Sequence, residues 1–278
     1  MAQRRGGGEP ASAGGYDRPV AQAPLPTFLI IGAQKSGTRW LRRNLGLHPA
    51  VFTPNNECSY FNTDKFDQGL DTYLARFEGW TGQTVVGEAT PGYMMWRRRP
   101  PSIAQVAERI DAQLPDVRLM AVLRNPVDRL YSAFIHHMLH GRIPHDADLL
   151  ERVRSRLPKE ARLRLVMGGM YGESLAPYLE RFGDRLRVFI NEDAYRDPRA
   201  TYASALEHVG ADPSFVSPQL TRVVNSYRPP TDSPYADGAG GRRPLTPEER
   251  TELFSYFSED VERLEALLGR DFSLWRPP

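Results

Sequence analysis

Apolar residues in this chain fall into short unbroken runs, each followed by a stretch of helical spacing. Phe28-Leu29-Ile30-Ile31 runs into Gly32, and from Thr38 onward Trp40, Leu41, Leu45 and Leu47 recur at helical intervals. Thr84 to Glu88, Val117 to Leu123 and Leu186 to Ile190 read as further strands; helical patterns cover Tyr73 to Trp80, Ile103 to Leu114, Pro126 to Met138, Ser174 to Phe182 and Pro198 to Val209. A last helix opens at Thr246-Pro247-Glu248-Glu249 and runs to about Leu268, stopped by Gly269. Nearly continuous apolar strands followed directly by helices are the mark of a parallel sheet covered on both faces. The expected fold is α/β: a single domain over residues 27–278, with a central, mainly parallel sheet flanked by helices and a P-loop-like turn after its first strand.

Residues 1–26 are rich in Gly, Ala, Pro and Gln and hold little apolar side chain, so a disordered tail is expected there. Pro213 to Gly241 is the longest irregular region, and loops of that length in a compact domain tend to be functional or mobile. The 278 residues are 40% apolar and 25% charged, enough for one sizeable core. A net charge of +2 gives no reason to expect a nucleic-acid partner, although local basic clusters can serve a small anion. A single cysteine, Cys58, rules out an internal disulfide and a Cys-based metal cluster, and fits a cytoplasmic location. No run approaches the roughly 18 apolar residues of a membrane span.

The chemistry concentrates at Gly32-Ala33-Gln34-Lys35-Ser36-Gly37-Thr38-Arg39. Amides at the start of the following helix, its positive dipole end, the Lys35 ammonium and the Ser36 and Thr38 hydroxyls can converge on one anion. An NTPase loop places its lysine after the second glycine; here the lysine precedes Gly37, which weakens the nucleoside-triphosphate reading. From these residues alone an anion site and an ordinary βα turn with a solvated lysine both stand. Arg124 sits at the carboxyl end of the clearest strand and Ser132 two turns into the next helix, on the edge where open α/β sheets bind ligands; the alternative pairs Arg124 with Asp128. The arginines between 146 and 168 (Arg152, Arg154, Arg156, Arg162, Arg164) form either a solvated face or the wall of a cleft. No acidic cluster suits Mg²⁺ and no His/Cys set suits Zn²⁺.

Taken together, Ile30-Ile31-Gly32-x-x-Lys35-Ser36-Gly37-Thr38, Leu47-His48-Pro49, Glu57-x-x-Tyr60-Phe61, Glu88-x-Thr90-Pro91-x-Tyr93 and Leu123-Arg124-Asn125-Pro126-Val127-Asp128-Arg129-x-x-Ser132 resemble sulfotransferases that use 3′-phosphoadenosine 5′-phosphosulfate (PAPS). The likeness is to the heparan-sulfate type and its bacterial relatives. Gly241-Arg242-Arg243-Pro244 and Leu267-Leu268-Gly269-Arg270-Asp271-Phe272 resemble that group's closing segment, so the likeness spans about residues 27 to 275. It implies that Lys35, Ser36, Gly37, Thr38 and Arg39 hold the 5′-phosphosulfate, with Lys35 at the bridging oxygen. It implies Arg124 and Ser132 on the 3′-phosphate, Gly241, Arg242 and Arg243 closing over the cofactor, and Glu57 as general base without a metal. Sulfuryl transfer, like phosphoryl transfer, asks mostly for placement and charge stabilisation.

The departures concern the acceptor side. Ser59 stands where the animal O-sulfotransferases of this type have a histidine, Ala89 where they have a lysine, and Gly240 where a lysine often precedes the closing glycine. The implied substrate is therefore a small hydroxylated acceptor, such as a sugar, glycolipid or secondary metabolite, rather than heparan sulfate. His136, His137 and His140 are alternative bases. A P-loop nucleotide kinase and a non-catalytic nucleotide-binding relative are the competing readings.

Overall fold

The computed structural model describes residues 24–96, 99–155, 165–222, 228–229, 231–238 and 241–278. The expected tail lies outside these residues except for Pro24 to Pro26, as do Arg156, Arg162, Arg164, Pro230 and Gly240. Along the chain come β1 (Phe28–Gly32), α1 (Thr38–Leu45), β2 (Val51–Phe52), α2 (Leu70–Leu74), β3 (Val85–Ala89), α3 (Ile103–Gln113), β4 (Arg118–Leu123) and α4 (Pro126–Leu139). They are followed by α5 (Leu149–Arg154), α6 (Tyr171–Phe182), β5 (Leu186–Ile190), α7 (Asn191–Arg196), α8 (Pro198–Val209), α9 (Pro247–Ser255) and α10 (Ser258–Leu268).

The strands form one five-stranded parallel sheet in the order β2-β3-β1-β4-β5. β1 is central and all five of its residues are buried, as a parallel strand covered on both faces requires. Its side chains alternate between two cores. Leu29 and Ile31 join Leu119, Ala121 and Leu123 of β4 on one face, under α3, α4, α6 and α10. Phe28 and Ile30 join Met120 and Val122 on the other, under Leu41 and Leu45 of α1 and Tyr202, Leu206 and Val209 of α8. The chain first builds to one side of β1 and then to the other, so the carboxyl ends of β1, β3 and β4 meet at the reversal where such sheets take ligands.

Local chemistry explains most boundaries. Ser102 and Gln105 form a reciprocal capping box at α3, and Thr246 and Glu249 form another at α9 behind Pro247. Asn125 caps α4 by accepting from the Val127 and Asp128 N–H groups, ahead of Pro126. Three expectations are corrected. The short helix expected at Tyr73 begins at Leu70 and ends as a 3₁₀ turn at Phe77; α6 starts at Tyr171, so Gly172 lies inside it. The expected 247–268 helix is two helices meeting at Tyr256-Phe257. The short helix α7, directly after β5, had no counterpart in the sequence reading.

Gly87 of β3 lies where a Cβ would collide with the carbonyl oxygen and ring of Phe28 on the neighbouring central strand. Gly87→Ala is expected to destabilise the protein by about 1–3 kcal/mol, read as a lower denaturation midpoint with an unchanged slope. A wild-type midpoint would show that β1 and β3 are not so closely apposed.

Candidate functional site

The turn after β1 is shaped by its backbone. The Ala33 N–H donates to the Val122 carbonyl (2.8 Å) and the Ser36 N–H to the Ala33 carbonyl (3.2 Å), which curls the chain over the end of β4. Lys35 (φ 71°) and Gly37 (φ 109°) both take left-handed geometry, a conformation that costs a lysine more than a glycine. Gly37 is the N-cap of α1 and no side chain caps it, so the first amides of the helix stay open to an incoming anion.

That turn forms the floor of a cavity of about 950 Å³ at the carboxyl edge of the sheet. Among the described residues, its walls carry six cationic side chains, Lys35, Arg39, Arg124, Arg222, Arg228 and Arg242, against one carboxylate, Glu57. Ser132 and His136, one turn apart on α4, face the same space. For a chain with a net charge of +2, this is a local concentration of positive charge suited to a polyanion.

The crowding shows in the titration of Lys35. Burial, and then the charges of Arg124, Arg129, Arg242 and Arg39, push its ammonium down to about 7. Burial with the nearby Lys35 charge holds His136 down at about 4, neutral at physiological pH. Glu57 is drawn the other way: burial of its carboxyl raises its affinity for a proton, and Arg42 partly offsets this. Arg42 also donates to the Pro54 carbonyl (2.6 Å), tying the loop that carries Glu57 to α1.

Of the residues singled out from sequence, Lys35, Gly37, Thr38, Arg39, Glu57, Arg124, Ser132, Gly241 and Arg242 line this one cavity. Two do not. Ser36 is fully buried, and its hydroxyl lies 3.4 Å from that of Tyr171, behind the turn. Arg243 is held by Glu249 through two hydrogen bonds (2.7 and 2.8 Å) and lies over the Tyr235 ring, outside the walls. Its neighbour Arg242 lies over the Tyr131 ring and faces in. Of the other histidines, His137 is buried and His140 exposed, and neither lines the cavity.

Asn191, Ala194 and Tyr195 of α7, and Trp40 and Leu220, also line the cavity and were missed from sequence. Asn191 follows β5 directly, so the strand-end rule that picked out Arg124 would have found it. Trp40 donates its indole N–H to the Leu220 carbonyl (2.9 Å), bringing that distant loop to the rim. Among the described residues there is no group of three or more His, Cys, Asp and Glu placed to hold a metal, and no helix is long and apolar enough to cross a membrane.

Residues 25–225 match the family model of the sulfotransferase domain. The bifunctional heparan sulfate N-deacetylase/N-sulfotransferase 1 of Caenorhabditis elegans is 29% identical over 192 residues, which cover 66% of this chain but only 22% of that protein. The crystal structure of a sulfotransferase from Alicyclobacillus acidocaldarius superposes with a TM-score of 0.70 at 27% identity, covering 91% of this chain and 99% of the other. Mouse sulfotransferase SULT7A1 complexed with PAP has a TM-score of 0.51 at 10% identity, covering 89% and 88%, a likeness of fold.

With Lys35 titrating near 7, a bound anion must raise its affinity for a proton, so anion binding should weaken as pH climbs past 7 and the lysine discharges. Inorganic sulfate, which does not itself titrate there, is expected to lose affinity by up to about tenfold per pH unit above 7. Lys35→Met should flatten that dependence in a calorimetric or thermal-shift titration. A flat wild-type profile would show that the lysine is not coupled to the anion.

Proposed function

This chain belongs to the sulfotransferase domain family, and on that premise we propose that it transfers the sulfuryl group of PAPS to a hydroxyl of a small acceptor. The observation that carries the reading is the six-cation wall around the uncapped start of α1. A nucleotide with a phosphosulfate at one end and a phosphate at the other suits that wall in sign, and the cations come from several elements along the sheet edge rather than from one turn.

PAPS, when bound, supplies the activated sulfuryl group. The open amides at the start of α1 and the Lys35 ammonium bind its 5′ end, and Lys35 offsets the negative charge that grows on the leaving phosphate. Arg124 and Ser132, from the end of β4 and the second turn of α4, grip the 3′-phosphate. Arg242, steadied over Tyr131, approaches from the closing loop. Glu57 takes the acceptor proton; its raised proton affinity suits a general base working near neutral pH. Ser36 supports the turn from behind rather than touching the nucleotide, and Arg243 anchors the closing segment to α9.

Two features support a small hydroxylated acceptor. Ser59 and Ala89 replace the larger cationic or imidazole side chains of the relatives that this chain resembles, and the cavity of about 950 Å³ must house the nucleotide as well. A sugar, glycolipid or secondary metabolite in the cytoplasm meets that description.

Incubation with labelled PAPS and a panel of hydroxylated and amine acceptors tests the reaction: label should pass to a hydroxyl. Label passing only to amines, or to no acceptor, would contradict the proposal. Lys35→Ala should lower kcat about 10²-fold or more, the loss typical of removing one donor to a developing oxyanion; wild-type kcat would remove Lys35 from its role. Arg124→Ala should weaken adenosine 3′,5′-bisphosphate roughly 10–100-fold, in line with one charge-assisted contact. Affinity for adenosine 5′-phosphosulfate should hardly change, and an equal loss for both would contradict the 3′ assignment.

A further inference from the structure

The segment Glu88-x-Thr90-Pro91-x-Tyr93 meets the Glu57 loop from below. Glu88 and Thr90 are both wholly inaccessible to solvent. The Thr90 hydroxyl donates to Glu88 Oε2 (2.7 Å) and accepts from the Ser59 N–H (3.1 Å). One turn on, the Tyr93 hydroxyl accepts from the Tyr60 N–H (3.2 Å). Thr90 is itself fixed to the centre of the sheet, its N–H donating to the Ile30 carbonyl (3.1 Å).

Residues 57–60 belong to no helix or strand, so their backbone donors need side-chain acceptors. Ser59 also holds left-handed geometry (φ 49°), a conformation that a serine keeps only where its surroundings enforce it. A threonine hydroxyl has one proton and rotates freely unless that proton is claimed. Glu88 claims it, and the lone pairs of Thr90 are thereby turned toward Ser59.

From this arrangement we infer that Glu88 and Thr90 are positioning residues for Glu57: by fixing the backbone two residues beyond it, they set where its carboxyl enters the cavity. The inference rests on the reading of Glu57 as the proton acceptor. It gives Ser59 a purpose as well, because the small side chain leaves the turn to be held through its main chain. Burial raises Glu88 to about 7, and the Tyr93 hydroxyl, the Thr90 hydroxyl and the Cys58 N–H act against that rise. Tyr73, Tyr93 and Cys58 around it are themselves held neutral.

The test combines amide hydrogen exchange with steady-state kinetics on the full chain carrying Thr90→Val, Thr90→Ser or Glu88→Gln. Thr90→Val is expected to speed exchange of the Ser59 amide at least a hundredfold while β3 amides stay protected. It should lower kcat about tenfold or more and leave the affinity for adenosine 3′,5′-bisphosphate within twofold. Thr90→Ser should restore both, and Glu88→Gln should reproduce the Thr90→Val pattern in weaker form, serving also if Thr90→Val fails to fold. Unchanged Ser59 exchange in Thr90→Val and Glu88→Gln would overturn the clamp; faster exchange with wild-type kcat would overturn its positioning role. Glu57→Gln, run alongside, separates the two ideas: full activity in that variant would sink Glu57 as base, whereas the exchange result reports on the clamp alone.

Discussion

The structure depends on holding several cations together at one sheet edge where they repel one another. Lys35 is forced into left-handed backbone beside Gly37, loses much of its hydration, and faces the charges of Arg124, Arg129, Arg242 and Arg39. The lost hydration and the neighbouring charges disfavour its ammonium, and the fold tolerates these and the backbone geometry because the sheet and its two cores fix the backbone around the site. A polyanion would relieve the repulsion, which is the physical basis of the proposed affinity for a doubly anionic nucleotide.

Each wall of the cavity has its own structural origin. The floor is the β1–α1 turn, one side the end of β4 and the face of α4, another the start of α7 directly after β5. The roof comes from the closing segment, where Ala236 and Arg242 pair as an antiparallel bridge. In an extended segment successive side chains point opposite ways, so one of the two adjacent arginines turns in and the other out. Glu249, already committed to capping α9, takes the outward one, Arg243, and ties the roof to the helix behind it. The Glu57 side is made differently. Glu57 sits on a loop without regular structure that is held by hydrogen bonds from the Ser59 and Tyr60 N–H groups to the Thr90 and Tyr93 hydroxyls, just beyond β3.

Much of this was legible in the sequence. The strand–turn–helix at Phe28–Leu45, the β4 run ending on Arg124, and the proline-capped α4 and α9 follow from apolar periodicity and end signals, and the parallel sheet follows from them. What was hidden lay in side-chain direction and in contacts across the chain. Nothing in Gly-x-x-Lys-Ser-Gly announces that Ser36 turns inward to Tyr171, 135 residues away. Arg243 looked equivalent to Arg242 until Glu249 was seen to hold it. The break at Tyr256-Phe257 carries no glycine or proline, and α7 is too short to stand out from the strand before it. The Glu57 loop was the hardest to read because its geometry is tertiary: its backbone is fixed by Thr90 and Tyr93, more than thirty residues further along the chain.

The central claim is that one nucleotide is gripped at both ends by this cationic edge, and a crystal structure with adenosine 3′,5′-bisphosphate tests it most directly. The account places the 5′-phosphate on the open amides at the start of α1 with the Lys35 ammonium beside it, and the 3′-phosphate between Arg124 and Ser132. Phosphate density lying elsewhere, or with the two ends exchanged, would contradict it.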